Sequence, residues 1–246
     1  MKTFITLFKT ELKLTIRHLD LIVFGIAFPI GVMLLLGTVF GDKVQSGTEF
    51  TMVQLCFGGT VAVGICATGL MGIPLTFADY RHKKILKRFK VTPISPLRLL
   101  GAQFLVQFLM ALVSALGVWA VARGAFGMQF KGSVWSFIGV YLGVLLCTYS
   151  IGMIIASLAP NIKIANLICT FVYFPMLLLS GATVPFEVLP KTVQHIAEVF
   201  PVTQGIKLLK GAVVGEALMV NSGACIALVL ITLLGIGITA KCFRWE

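Results

Sequence analysis

The chain has 246 residues, of which 58% are hydrophobic and only 12% charged, and its mean hydropathy is +1.01. A soluble domain carries about 25% charged residues, so a water-soluble globular fold is excluded. The net charge of +11 would suit nucleic acid, but the basic residues border uncharged runs, so it reads as a membrane-topology signal and no nucleic-acid partner is expected.

Six stretches contain no Asp, Glu, Lys or Arg: 21–41, 50–78, 99–122, 132–162, 164–186 and 217–240. Crossing about 30 Å of hydrocarbon as a helix takes about 20 apolar residues. Each run meets that length, and none holds two helices and a turn. Stretches such as Ile22–Phe28 and Ile226–Ile231 are apolar on every side, unlike the alternating strands of a membrane β-barrel. The fold class is therefore an all-α membrane protein with six transmembrane helices.

Residues 2–19, before the first span, predict an amphipathic helix. At about 100° per residue, Phe4, Ile5, Phe8, Leu12, Ile16 and Leu19 share one arc, and Lys2, Lys9, Lys13 and Arg17 the adjoining one. Such a helix lies in the lipid interface, so membrane lipids are expected partners. Span 1 follows at about 21–40 and contains Pro29, which removes a backbone hydrogen bond and should kink it. Span 2 covers about 51–77, with Pro74 near its end. A basic segment, 79–98, precedes span 3 at about 99–122. Span 4 at about 134–158 ends in a tight turn at Pro160–Asn161, and span 5 covers about 163–183 around Pro175. Residues 184–215 are too polar to span. There Pro190 starts one short helix that Pro201 must end, and a second covers 203–213. Span 6 runs from about 217 to 240. One transmembrane domain accounts for the whole chain.

Lysine and arginine set the orientation. With both termini in the cytosol, 14 of the 20 fall in inside segments. No cleavable signal peptide is expected, because span 1 is too long for one. The six cysteines form no C-x-x-C pair and read as small buried hydrophobes. The three histidines fall in separate segments, so no metal site is expected.

A P-loop, G-x-x-x-x-G-K-[ST], is absent, as are H-E-x-x-H and G-x-S-x-G. The chain is therefore not expected to be an enzyme or to carry a cofactor. Intramembrane proton relays use Asp, Glu or His within spans, and these spans have none. Energy, if used, must come from elsewhere. Candidate cavity residues among the polar side chains inside spans are Gln54, Gln103, Gln107, Asn166, Thr170 and Tyr173. Two readings stand for them: contact with a transported molecule in a cavity, or hydrogen bonds between helices. Gly58, Gly59, Gly64 and Gly69 imply close packing of span 2, within one subunit or at a dimer seam.

Residues 79–90 predict a short basic helix with Ile85, Leu86 and Phe89 on one side and Arg81, Lys84 and Arg88 on another. Thr92–Pro93 stops it, and Pro96 stands before span 3. The series Arg81…Leu86-Lys87-Arg88…Thr92-Pro93…Pro96 resembles the cytosolic loop of ABC-2 type transporter permeases, which commonly reads R-E-x-G-x-L-K-R-L-x-x-T-P-x-S. The run Leu179-Ser180-Gly181…Pro185, then Leu189-Pro190, Phe200-Pro201…Thr203 and Lys210-Gly211, is similar to that family's outer pattern between spans 5 and 6. His82 and Lys84 stand where the family usually has Glu and Gly.

The resemblance implies a bacterial inner-membrane exporter permease. Two permease subunits, as a homodimer, would work with two copies of a separate ABC ATP-binding subunit, which would hold ATP and magnesium. Arg81, Lys84, Ile85, Leu86, Lys87, Arg88, Phe89, Thr92 and Pro93 would couple to that ATPase. Pro185, Leu189, Pro190, Phe200, Pro201 and Thr203 would belong to short re-entrant helices forming an outer gate. The expected cargo is an amphipathic drug, antibiotic or lipid-like compound. Lipid-linked polysaccharide is the alternative cargo, and an ATP-independent channel or scaffold the alternative of another class.

Overall fold

A computed structural model of the chain describes residues 2–17, 19–41, 50–85, 96–181, 190–215 and 222–242. Helix α1 covers Lys2–Arg17. Six further helices are long and apolar enough to cross a membrane: Leu19–Phe40, Met52–His82, Arg98–Gly124, Val134–Leu158, Ile162–Leu179 and Ser222–Lys241. These are spans 1 to 6. Two short helices, α2 (Lys191–Glu198) and α3 (Pro201–Val214), lie between spans 5 and 6.

Spans 1 and 2 are not uniform α-helices. Each contains a π-helical stretch, Val23–Ala27 and Ala67–Gly72, and each stretch sits immediately before a proline, Pro29 and Pro74. A proline within a helix lacks an amide donor, and its ring meets the carbonyl four residues back. The wider π turn absorbs that misfit without ending the helix. The two π segments lie against each other where Gly25 faces the Thr68 methyl.

Span 2 is the hub of the bundle. It is buried along most of its length and packs against spans 1, 3, 4 and 5 and against α3. Its glycines let neighbouring backbones come close. A Cβ on Gly58 would lie 2.9 Å from the Lys210 amide nitrogen of α3. On span 4, a Cβ on Gly152 would run into the Gly69 carbonyl oxygen. The Tyr149 hydroxyl donates to Thr68 Oγ1 at 3.1 Å beside that contact. Spans 1, 5 and 6, by contrast, expose long apolar faces, including Leu35, Phe171 and Leu234.

Helix α3 is mostly buried against spans 2, 4 and 6. Pro201 stands in its first turn, where a missing amide donor leaves nothing unpaired. Gly215 ends it with φ of 92°, a left-handed conformation that glycine adopts without steric cost.

The Gly69–Gly152 contact is testable. Gly152→Leu should destabilise the protein by about 1–3 kcal/mol, read as a lower Tm in detergent. Gly143→Leu, on the same helix with nothing within 4 Å of its Cβ position, should leave Tm unchanged.

Candidate functional site

The distinctive chemistry gathers at the basic end of the bundle, where α1, span 2, span 3 and the turn between spans 4 and 5 meet. Span 2 continues as helix to His82, so residues 79–82 form its last turn rather than the start of a separate helix. Asp79 and Lys83 pair across one turn at 2.7 Å. The ladder then ends: the Lys83 amide donates to the Asp79 carbonyl and the Lys84 amide to the Arg81 carbonyl. Lys84 has φ of 56°, in the left-handed region where a Cβ crowds the backbone. This is the position at which the resembled pattern carries glycine, the residue without that penalty.

Arg81 is held, not displayed. Its guanidinium donates to the Ala159 carbonyl and, at 3.2 Å, to the Ala156 carbonyl. Those carbonyls close the end of span 4, where helix oxygens lack amide partners and the helix dipole favours a cation. One turn further on, the Asn161 side chain accepts from the Ile164 amide at 2.9 Å and caps span 5. Arg81 thereby ties the end of span 2 to the span 4–5 turn.

Beside it lies a buried polar cluster. Glu11 of α1, 4% exposed, accepts from the Tyr80 hydroxyl of span 2 and from the Gln103 amide of span 3. Gln103 Nε2 also lies 3.1 Å from the Tyr80 hydroxyl oxygen. Around it Leu7, Tyr80, Leu99 and Ala102 form a small core separate from the main one, with Phe4 and Ile85 against it. Ile85, the first residue past the Lys84 bend, therefore touches the same unit as α1.

The other residues singled out from the sequence are dispersed. Gln54 forms a capping box with Thr51 at the start of span 2 and donates to the Gln129 carbonyl at 2.8 Å, tying that end to the loop after span 3. Gln107 is fully buried against Gly72 at the π turn of span 2, and among the described residues its amide has no partner. Tyr173 is buried in the main core, whereas Asn166 is exposed on span 5. Thr203 is buried in α3, Phe200 and Pro201 are half-buried at its start, and Pro190 is exposed before α2. Lys207 and Glu198 join α3 to α2 at 2.8 Å. Leu86, Lys87, Arg88, Phe89, Thr92, Pro93, Pro185 and Leu189 lie outside the described residues.

Sequence reading missed Glu11. It falls outside the apolar arc of α1, and only its fourfold spacing from Leu7 and Thr15, both buried, pointed to a third face. That face docks on the protein. Much of the apolar arc does not: Ile5, Ile16 and Leu19 are about half exposed or more.

Residues 2–214 match the ABC-2 type transporter family, and the chain belongs to it. It is 31% identical to the inner membrane transport permease YhhJ of Escherichia coli (strain K12) over 157 residues, 62% of this chain and 41% of that protein. Nodulation protein J of Neorhizobium galegae is 26% identical over 204 residues, 79% of this chain and 70% of the relative. Nodulation protein J of Rhizobium leguminosarum bv. viciae is 37% identical over 67 residues, 27% of this chain and 26% of the relative. The chain spans about two fifths of the length of YhhJ.

The bend at Lys84 yields a prediction. Lys84→Gly should stabilise the protein by about 0.5–1 kcal/mol, the left-handed penalty less the extra chain entropy of glycine. A rise in Tm checks it; a fall would mean that the lysine side chain contributes more than the bend costs.

Proposed function

We propose that the chain is the membrane permease subunit of an ABC exporter. Two copies form the translocation path, and two copies of a separate ATP-binding subunit drive it. The observation that carries this reading is the basic junction. Span 2 leaves the bundle as a rigid helix, Arg81 anchors it to span 4, and Ile85 joins it to α1 and span 3. A displacement entering through the segment after Lys84 would reach four spans at once. Family membership and the similarity to YhhJ, named as an inner membrane transport permease, support transport and a bacterial inner-membrane location.

Lys87 and Arg88, with Leu86, Phe89, Thr92 and Pro93, are the contacts proposed for the ATPase, and Arg81 the anchor behind them. The outer helices α2 and α3, with Pro190, Phe200, Pro201 and Thr203, and the preceding Pro185 and Leu189, are proposed as the external gate. The apolar face of span 5, interrupted by exposed Asn166, is proposed to line the path or the seam with the second copy. The cargo is an amphipathic drug, antibiotic or lipid-like compound, with lipid-linked polysaccharide as the alternative.

Reconstitution in vesicles with the ATPase tests the proposal: ATP hydrolysis should rise with cargo, and efflux should need ATP. Transport by the purified chain alone would replace this reading with a channel. Lys87→Glu with Arg88→Glu should leave Tm unchanged while lowering cargo-stimulated ATP hydrolysis at least about tenfold, as expected for two lost charge-assisted contacts. Arg81→Ala should instead lower Tm, by about 1–3 kcal/mol of stability, because two buried carbonyls lose their donor.

A further inference from the structure

Helix α1 presents three adjoining arcs. The arc with Leu7, Glu11 and Thr15 is buried against the protein; the arc with Ile5 and Ile16 is exposed and apolar; the arc with Lys9, Lys13 and Arg17 is exposed and basic. The exposed arcs suit a lipid interface and need no contact with the bundle. What fixes α1 to the bundle is the first arc with its half-buried neighbours Phe4, Phe8 and Leu12, and of its apolar residues only Leu7 and Phe4 join the minor core. Its centre is a carboxyl group. A buried carboxyl is costly unless its hydrogen bonds are made, and here both donors come from other helices, Tyr80 at the end of span 2 and Gln103 one turn into span 3.

We propose that Glu11 is a positioning residue, its carboxyl latching α1 to spans 2 and 3 so that the helix moves with them as one unit. The link to ATP-driven movement rests on the exporter reading above; the latch itself does not. Removing Glu11 would leave the Tyr80 hydroxyl buried without its acceptor and the Gln103 amide with only the Tyr80 oxygen, which weakens docking more than the lost contact alone.

The latch is proton-linked. Tyr80 from span 2 and Gln103 from span 3 are the polar groups that face the carboxyl. Among the described charged residues nearby, Asp79 and Lys83 pair with each other, Arg81 is bound to span 4, and Lys9, Lys13, Asp20, Lys84 and Arg98 are exposed. Burial pushes the Glu11 carboxyl above the usual carboxylate range, outweighing the lowering effect of the bonds from Tyr80 and Gln103. The docked helix therefore holds a proton more tightly than an undocked one, so docking strengthens in acid and weakens as pH rises through the raised value.

Hydrogen–deuterium exchange of residues 2–17 in lipid nanodiscs, corrected for the intrinsic pH dependence of exchange, tests the latch without any ATPase. Wild type should be better protected at low pH and lose protection as pH rises through the raised Glu11 value. Glu11→Gln, which keeps an acceptor and cannot ionise, should stay protected and lose the pH dependence. Glu11→Ala should exchange about tenfold faster, and Tyr80→Phe, which deletes one donor from span 2, should shift in the same direction. A pH dependence retained in Glu11→Gln, or unchanged protection in Glu11→Ala, overturns the latch. With the ATPase present, Glu11→Ala should lower ATP-driven transport several-fold and Glu11→Gln should not; transport intact in a Glu11→Ala protein whose α1 is unprotected overturns the positioning role. If wild type itself transports without ATP, the exporter reading fails, and the exchange result still decides the latch.

Discussion

Hydrocarbon offers no water to an unpaired amide or carbonyl, and this constraint shapes the molecule from its helices down to its turns. It forces the spans to be helical and dictates what happens wherever the helical ladder is interrupted. At Pro29 and Pro74 the ladder widens into π turns rather than opening. At the end of span 4 the unpaired carbonyls of Ala156 and Ala159 are met by Arg81. At the start of span 2 the amide of Thr51 is met by the side chain of Gln54. Several polar side chains, Arg81, Gln54, Gln103 and Tyr149 among them, complete backbone or interhelical hydrogen bonds.

The same constraint explains what could be read from the sequence. Six uncharged runs announced six crossings because a charged residue at mid-bilayer costs several kcal/mol, and composition alone reports that. Prolines announced themselves too, since their effect on the ladder is local. The partner of a polar residue is a different matter. Glu11 is 69 residues from Tyr80 and 92 from Gln103, and no periodicity within α1 reveals that a carboxyl will be buried by helices so distant in the chain. Gln103 and Gln54 looked alike as polar residues in apolar spans, yet one joins three helices at the basic end and the other caps a helix at the opposite end. Arg81 looked like part of a basic surface because its acceptors, backbone carbonyls of span 4, carry no signature in the sequence at all.

The two ends of the bundle are organised on different principles. At the end opposite the basic one, α3 fills the space between spans 2, 4 and 6 with small and branched residues, and the fit depends on glycines such as Gly58 that admit a second backbone. At the basic end the contacts are fewer and more polar, and a separate small core stands apart from the main one. Tight apolar packing resists displacement in every direction. A small core joined by directional hydrogen bonds has fewer contacts to break, and it is the part of this fold better suited to shifting as a unit.

On the exporter reading proposed above, the left-handed residue at Lys84 would decide what kind of motion enters span 2. Because the hydrogen-bonded ladder stops there, twisting of the chain beyond it is not carried along the helix as torsion. Lateral thrust would cross instead, through Ile85 where it packs against the small core of Leu7, Tyr80, Leu99 and Ala102. On the exporter reading the end of span 2 would act as a crank and not an axle, swinging the helix and its neighbours together while leaving the rotational register of the buried glycine face undisturbed.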